Sequence, residues 1–565
     1  MWRALKHRAA LLFLSISEFV LAVAGRRRAY GILKVEIAGD LVEDAGEQRL
    51  FGFLRRASAD YLGVVTLLAW AREDPNLQGV LISCDDLRVS WARLQGLRRA
   101  IEKLRAAGKR VWVHLGHAGV GEYYVASAAE RINLAPPVLL DITGLSSEAV
   151  FLLGALEKIG VQADVVQMGR YKSAGETFTR RDMSESHREM MESLVDDLYG
   201  QLIDAVAAGR ALDPASARDL LDRGPFLGEE AVEAKLVDSR LYADQVEAGL
   251  VEQCHGATVL DQEAYSRRRG REVRRDVLRR SRGTFAVVSI TGTIKSGDNI
   301  PGPEGASATG TESVGSALEE LRDRDDVRAI VLRISSPGGS GVASDLMWRE
   351  VVRTREKKPV VISCGDLAAS GGYYVAVGGS PIFAEAGTIT GSIGVIAGKA
   401  NLRSLYDRIG VTKEMVTRGK HAAIHSDYVP LGDQERARIQ AEAESFYRMF
   451  VDRVATSRRL STEAVEAAAQ GRVWTGRQAL SRGLIDELGG IDDALDRAKT
   501  LSGIPAGEPV LVERHPRPRR LWKLSLDLPL PSWMHAPELI SLPPMLRLLL
   551  SERVWTLLPF HFRFF

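Results

Sequence analysis

Short apolar runs recur along the chain, each followed by small or polar residues and then by an amphipathic stretch. Val80-Leu81-Ile82-Ser83 precedes such a stretch at Leu94–Ala106, and Val111-Trp112-Val113 follows it. Ile32–Ile37, Val331–Ile334, Val360–Ile362 and Phe285–Ile290 have the same character. Runs of four to eight branched apolar residues read as buried strands, and their alternation with helical patterns predicts α/β domains with parallel sheets.

The runs also repeat. Ser370-Gly371-Gly372-Tyr373-Tyr374-Val375-Ala376 matches Val120-Gly121-Glu122-Tyr123-Tyr124-Val125-Ala126 at an offset of 250 residues. Ile409-Gly410-Val411 matches Ile159-Gly160-Val161, and Ile330-Val331-Leu332 matches Val80-Leu81-Ile82, at the same offset. Gly476, Ala479, Leu484 and Asp486 match Gly228, Ala231, Leu236 and Asp238 at 248. A register held this far predicts two tandem copies of one fold, over residues 29–250 and 283–505.

Other segments fall outside the copies. Residues 1–28 hold an apolar stretch, Ala9–Gly25, with Arg3, Lys6 and Arg8 before it, Arg26-Arg27-Arg28 after it and Glu18 inside it. Three readings compete: an uncleaved anchor, a signal-peptide core with Ala22-Val23-Ala24 as a weak cleavage site, or an amphipathic surface helix. Residues 251–282 form an Arg-rich linker, read as a solvated helix or as a contact to anionic lipid. Ser296–Thr311 reads as a Gly-rich loop, and residues 506–565 as a tail of prolines, tryptophans and leucines suited to packing on the body or lying in a membrane interface.

Composition narrows the picture only slightly. A chain of 565 residues is too long for a single core. With 75 basic and 73 acidic residues it exerts no bulk attraction on nucleic acid. Cys84, Cys254 and Cys364 are too few and scattered for a disulfide framework, and no Cys/His cluster has metal-ligand spacing. No cofactor or metal is expected.

The chemistry lies in what the copies do not share. Ser370, at a sharp turn between a strand and a helix, faces Val120 of the first copy. Gly338 and Gly339 face Arg88 and Val89, and Ser392 faces Ile142. Conversely, Lys172 of the first copy faces Ala422 of the second. One copy has a serine without a lysine, the other a lysine without a serine. Serine is a weak nucleophile until a base takes its proton. A lysine amine is such a base only when neutral, so its pKa must fall from about 10.4 by roughly three units, at a cost of about 4 kcal/mol that burial can impose. An interface between the copies would bring Lys172 to Ser370, with the Ser392 hydroxyl orienting the amine. Backbone N–H groups of Gly338 or Gly339 and of Gly371 are then the candidate oxyanion donors.

Rival assignments exist. His421, His425 and Lys420 lie in the second-copy loop that corresponds to the lysine loop, although His421 replaces Tyr171 and has no evident acid partner. His114 and His117 read as structural, and Asp85 and Asp86 as caps of the following helix.

Tyr171-Lys172-Ser173-Ala174, Ser336-Pro337-Gly338-Gly339-Ser340 and Ala369-Ser370-Gly371-Gly372-Tyr373-Tyr374 resemble the motifs of signal peptide peptidase A of the long, two-repeat type, in the Clp protease/crotonase superfamily. The resemblance covers both copies. It implies Ser370 as nucleophile, Lys172 as general base and Ser392 as the serine that contacts the lysine. It also implies a membrane-anchored, bowl-shaped homotetramer of the bacterial inner membrane that degrades cleaved signal peptides with its bowl facing the periplasm. The short leader interrupted by Glu18 and the aromatic tail depart from that pattern. A crotonase-like acyl-CoA enzyme, which also holds an oxyanion with two backbone N–H groups, and a non-catalytic membrane scaffold are the alternatives.

Overall fold

The branched apolar runs become two parallel sheets with the same strand order. In the computed structural model, which describes residues 30–43, 60–300, 307–505, 508–516 and 555–557, the first sheet runs Ser239–Arg240, Arg131–Leu134, Arg110–Leu115, Gly79–Leu87, Ile32–Gly39 and Val259–Asp261. The second runs Glu487–Leu488, Ile382–Ala384, Val360–Ala369, Val327–Ser336, Thr284–Thr291 and Leu511–His515. Ile389–Gly391 and Val473–Thr475 extend it beside Val360–Ala369. All pairings within the six matched strands of each sheet are parallel. The tandem α/β repeat expected from the 250-residue offset is therefore the architecture. Each copy also closes with an edge strand, Val259–Asp261 or Leu511–His515, that lies beyond residues 250 and 505.

Both sheets are buried between helices, so their central strands carry Val, Ile and Leu on both faces. Val80, Ile82, Val111 and Val113 are fully buried in one core, as are Ile330, Leu332, Val360 and Ile362 in the other. Cys84 and Cys364 end apolar strands and are fully buried. The helices repeat too: Trp91–Ala106 corresponds to Gly341–Arg355, and the 26-residue Glu185–Arg210 to the 26-residue Asp433–Arg458. Ser90 caps Trp91–Ala106 through its hydroxyl, as Ser340 caps its counterpart. That corrects the assignment of Asp85 and Asp86 as caps: Asp86 instead pairs with Arg88 at 2.6 Å.

The Arg-rich segment is the helix Gln262–Arg280. It is held on the first sheet by buried Tyr265, whose hydroxyl donates to Asp74 at 3.2 Å, and by Arg268 stacked 4.3 Å from the Tyr30 ring centroid. Among the described residues no helix is long and apolar enough to cross a membrane. The leader, residues 1–28, and tail residues 517–554 and 558–565 lie outside the described part.

A third sheet draws on both copies. Its order is Ala308–Gly310, Thr293–Lys295, Gly338–Ser340, Trp555–Leu557, Val395–Asn401 and Gln162–Met168. The last two pair antiparallel in an unbroken register from Val395 with Met168 to Asn401 with Gln162. Ion pairs, some of them buried, cross the rest of the contact between copies. Arg93 binds Asp366 at 2.6 Å and Glu43 at 3.3 Å, and Glu43 also takes Arg333 at 2.6 Å. Arg99 binds Glu385 at 2.6 Å, and Arg477 binds Asp197 at 2.9 Å. Removing one member of a buried cluster leaves its partners charged and unpaired, at a cost of about 3–5 kcal/mol. Arg93→Met should therefore lower unfolding stability by that order in denaturant titration, whereas exposed Arg88→Met should change it by less than about 1 kcal/mol.

Candidate active site

Three short backbone segments meet at the end of the strand pair that joins the copies. Gln162–Met168 leaves the pairing at Met168, and four residues later comes Lys172. Val395–Asn401 begins just after the turn Gly391-Ser392-Ile393-Gly394. The loop Gln470-Gly471-Arg472 lies between them. Tyr171 N–H donates to the Gln470 carbonyl at 2.7 Å, Gly471 N–H to the Ile393 carbonyl at 2.7 Å and Ser392 N–H to the Arg472 carbonyl at 2.8 Å. Gly471 has φ +77°, and a Cβ there would sit 2.6 Å from both the Cβ and the backbone nitrogen of Lys172. Glycine is required by conformation and by space alike.

Ser370 follows strand Val360–Ala369 and precedes helix Gly371–Ala376 at φ 55°, ψ −117°. That backbone costs a non-glycine residue about 1–3 kcal/mol and persists only where the surroundings impose it. The Ser370 N–H donates to the Gly391 carbonyl at 2.8 Å, which ties the serine turn to the Ser392 turn. Ser392 is itself at φ 53°.

Lys172, Ser370 and Ser392 are brought together within one chain. The Lys172 amine lies 2.7 Å from Ser370 Oγ, 3.0 Å from Ser392 Oγ and 3.1 Å from the Ser392 carbonyl oxygen. All three residues are fully buried. Burial, with no carboxylate to offset it, pulls the Lys172 amine down to about 7. A neutral amine has two N–H donors and one lone pair. The carbonyl and hydroxyl of Ser392 take the two donors, and the lone pair is left for the Ser370 proton.

Among the candidate oxyanion donors, Gly338 and Gly339 begin the short buried strand Gly338–Ser340. The Gly338 N–H is directed at Ser336 Oγ, 3.1 Å away. Gly371 heads the helix after Ser370, where N–H groups have no partner one turn earlier. The rival His421 is half exposed and pairs with Glu435 at 2.7 Å, the acid that the sequence left unassigned. Ser370 Oγ has Lys172 as its hydrogen-bond partner, not an imidazole. His114 is buried, and His117 faces Glu122 at 3.3 Å. Gln470 and Gly471 are the residues that sequence reasoning missed. One glycine among 53, far along the chain from either reactive group, carries no signal until the loop is folded.

A profile of Peptidase family S49 matches residues 103–255 and again 353–505, once in each copy and at the same 250-residue offset. The chain belongs to peptidase family S49. Among its relatives, "Serine protease SPPA, chloroplastic" of Arabidopsis thaliana is 34% identical over 79% of this chain and 66% of its own length. "Protease 4" of Salmonella typhi is 30% identical over 84% of this chain and 79% of its own length. A solved structure, "ClpP1 from Listeria monocytogenes", overlaps 37% of this chain and 94% of its own at 17% identity and TM-score 0.23. The family makes this protein a serine peptidase acting on peptides.

Because Gly471 sits against the Lys172 backbone, a methyl group there must push the amine out of place. Displacements of about 1 Å cost on the order of 100-fold in rate. Gly471→Ala should lower kcat by that order while circular dichroism stays unchanged, in steady-state assays of a peptide reporter.

Proposed function

We propose that Ser370 and Lys172 are a catalytic dyad that cleaves extended apolar peptides, cleaved signal peptides among them. The observation that carries the reading is the 2.7 Å contact between a buried amine and a buried hydroxyl contributed by different copies. Neutral Lys172 accepts the Ser370 proton as Oγ attacks the peptide carbonyl carbon. Ser392 holds the amine in line through its hydroxyl and carbonyl. The oxyanion is met by backbone N–H groups of Gly338 or Gly339 and of Gly371. Lys172 then protonates the leaving amine, and water, deprotonated by the same lysine, releases the acyl group and regenerates Ser370. The substrate is read through its main chain: Gly338–Ser340 and Val395–Asn401 are strand edges that take an extended segment between them.

Two features support a place at a membrane surface: the apolar stretch Ala9–Gly25 between basic flanks, and the aromatic tail. With the family resemblance they favour the bacterial inner membrane, with the catalytic copies on the periplasmic side. The repeat itself supports a closed assembly. Gln162–Met168 corresponds by the 250-residue offset to 412–418, and Val395–Asn401 to 145–151. Within the chain the first members of these two matches pair with each other, whereas 412–418 and 145–151 pair with no strand among the described residues. They carry exposed Val416 (89%) and Val150 (67%). Segment 412–418 of one chain would pair with 145–151 of the next, continuing the repeat head to tail until a ring closes, and the resemblance puts closure at four chains.

Ser370→Ala and Lys172→Ala should each abolish cleavage of a quenched fluorescent apolar peptide without loss of fold. Retained activity in Lys172→Ala together with loss in His421→Ala would overturn the dyad. In the wild type kcat/KM should rise with pH through about 7 and level off above it, because the lysine works only after losing its proton. A profile falling across that range would contradict the assignment. For the assembly, Val416→Asp should convert a tetramer to monomers in multi-angle light scattering.

A further inference from the structure

One carboxylate bridges the lysine turn and the loop behind it without touching either reactive group. Glu189 stands on the helix Glu185–Arg210 of the first copy. Its Oε1 accepts from the Arg472 guanidinium at 2.6 Å, and its Oε2 accepts from the Tyr171 hydroxyl at 2.9 Å and from Arg170 at 3.0 Å. Two guanidinium groups lie over the Tyr171 ring, that of Arg170 at 4.9 Å and that of Arg472 at 4.7 Å from its centroid. Arg472 also lies over the Trp474 ring at 4.5 Å.

These contacts fall one residue away from the chemistry. Tyr171 directly precedes Lys172. Arg472 follows Gly471, which packs against the Lys172 backbone, and the Arg472 carbonyl accepts the Ser392 N–H at 2.8 Å. The same helix holds the next residue as well: the Val473 N–H is directed at Sδ of fully buried Met190, 3.4 Å away. The repeat separates this bridge from the fold in general. His421, matching Tyr171, pairs with Glu435 on the long helix of its own copy. At the 248-residue offset, however, Arg472 faces Gly224, so no guanidinium stands at the matching place in the first copy. The three-part bridge occurs where the lysine is and not where Ala422 replaces it.

Exposure argues against a role in global stability. The Glu189 side chain is 45% exposed, and exposed ion pairs add little to folding. A carboxylate shared by a phenol and two guanidinium groups nevertheless limits where each can sit, because charge-assisted hydrogen bonds are short and directional. We propose that Glu189 is a positioning residue for the dyad: its carboxylate couples Tyr171 to Arg472 and thereby holds the lysine turn against the loop that carries the Ser392 turn. The proposal rests on the reading of Ser370 and Lys172 as the catalytic pair. Without the bridge the turns keep their main-chain hydrogen bonds but gain play, and the amine loses its alignment on Ser370 Oγ.

In Glu189→Ala, kcat on an apolar reporter peptide should fall about tenfold with KM unchanged, because the loss falls on proton transfer and not on peptide binding. Arg472→Ala should lose as much, and the double variant no more than either single one. Guanidinium ion below denaturing concentration should restore part of the kcat of Arg472→Ala. In Glu189→Ala the rise of kcat/KM should move above about 7, since a loosened turn admits water to the amine and weakens its desolvation. Glu192→Ala, on the exposed face of the same helix, should leave kcat, KM and the pH profile unchanged. Hydrogen exchange in Ser370→Ala protein reads the bridge without turnover: adding Glu189→Ala should speed exchange of the Tyr171 and Ser392 amides about tenfold. Unchanged kcat, a loss carried by KM, or a lower kcat with exchange unaltered in both turns overturns the proposal. A wild type without peptidase activity would sink the dyad reading, and the exchange rates would still decide whether Glu189 holds the turns together.

Discussion

The antiparallel pairing of Gln162–Met168 with Val395–Asn401 is the constraint on which the site depends. Each strand belongs to a different copy, and each ends within a few residues of a reactive side chain. Because strand register is set by main-chain hydrogen bonds, a slip of one residue would turn every side chain to the opposite face. The register from Met168–Val395 to Gln162–Asn401 thus fixes where Lys172 emerges relative to Ser392. The Gln470-Gly471-Arg472 loop completes that setting, with one main-chain hydrogen bond to the lysine turn and two to the serine turn.

A buried lysine without a counterion is expensive. Held near 7 by burial alone, it favours the unfolded chain, in which the amine carries its charge freely. The molecule tolerates it because the surrounding contact between the copies is extensive and strongly paired. The Arg93–Asp366–Glu43–Arg333 cluster and the Arg99–Glu385 pair lie at that same contact. Two residues at positive φ, Ser370 and Ser392, add local strain that these contacts also offset. The strain and the desolvated amine fall at one point, where Ser370 and Ser392 meet Lys172.

Duplication explains how such a point arises. Both copies keep the strand order, the Ser90 and Ser340 helix caps and the paired long helices. They differ where strands lead into turns. Val120, where the serine would stand, is buried in the first core, and Ala422, where the lysine would stand, lies in an irregular exposed stretch. Val120 in place of the serine and Ala422 in place of the lysine leave both folds intact, because neither the serine nor the lysine holds a core together.

Much of this was legible in the sequence. The branched apolar runs and their fixed offset determined two α/β copies, since a strand buried on both faces must be apolar throughout. The complementary loss of serine and lysine singled out Ser370, Lys172 and Ser392, and the fold brings both hydroxyls within hydrogen-bond distance of the amine. The positions of the helix caps were misjudged by a few residues, since Asp85 and Asp86 compete for that role with Ser90 in any one-dimensional reading. Only the tertiary structure decided that a single chain completes the site, that Gly338 spends its N–H on Ser336, and that Gly471 backs the lysine. It also gave Trp555–Leu557 a place beside Gly338 and Gly339. The physical reason is common to these cases: hydrophobic periodicity reports which face of an element is buried, whereas contacts between segments hundreds of residues apart are set by main-chain hydrogen bonds that carry no side-chain signature.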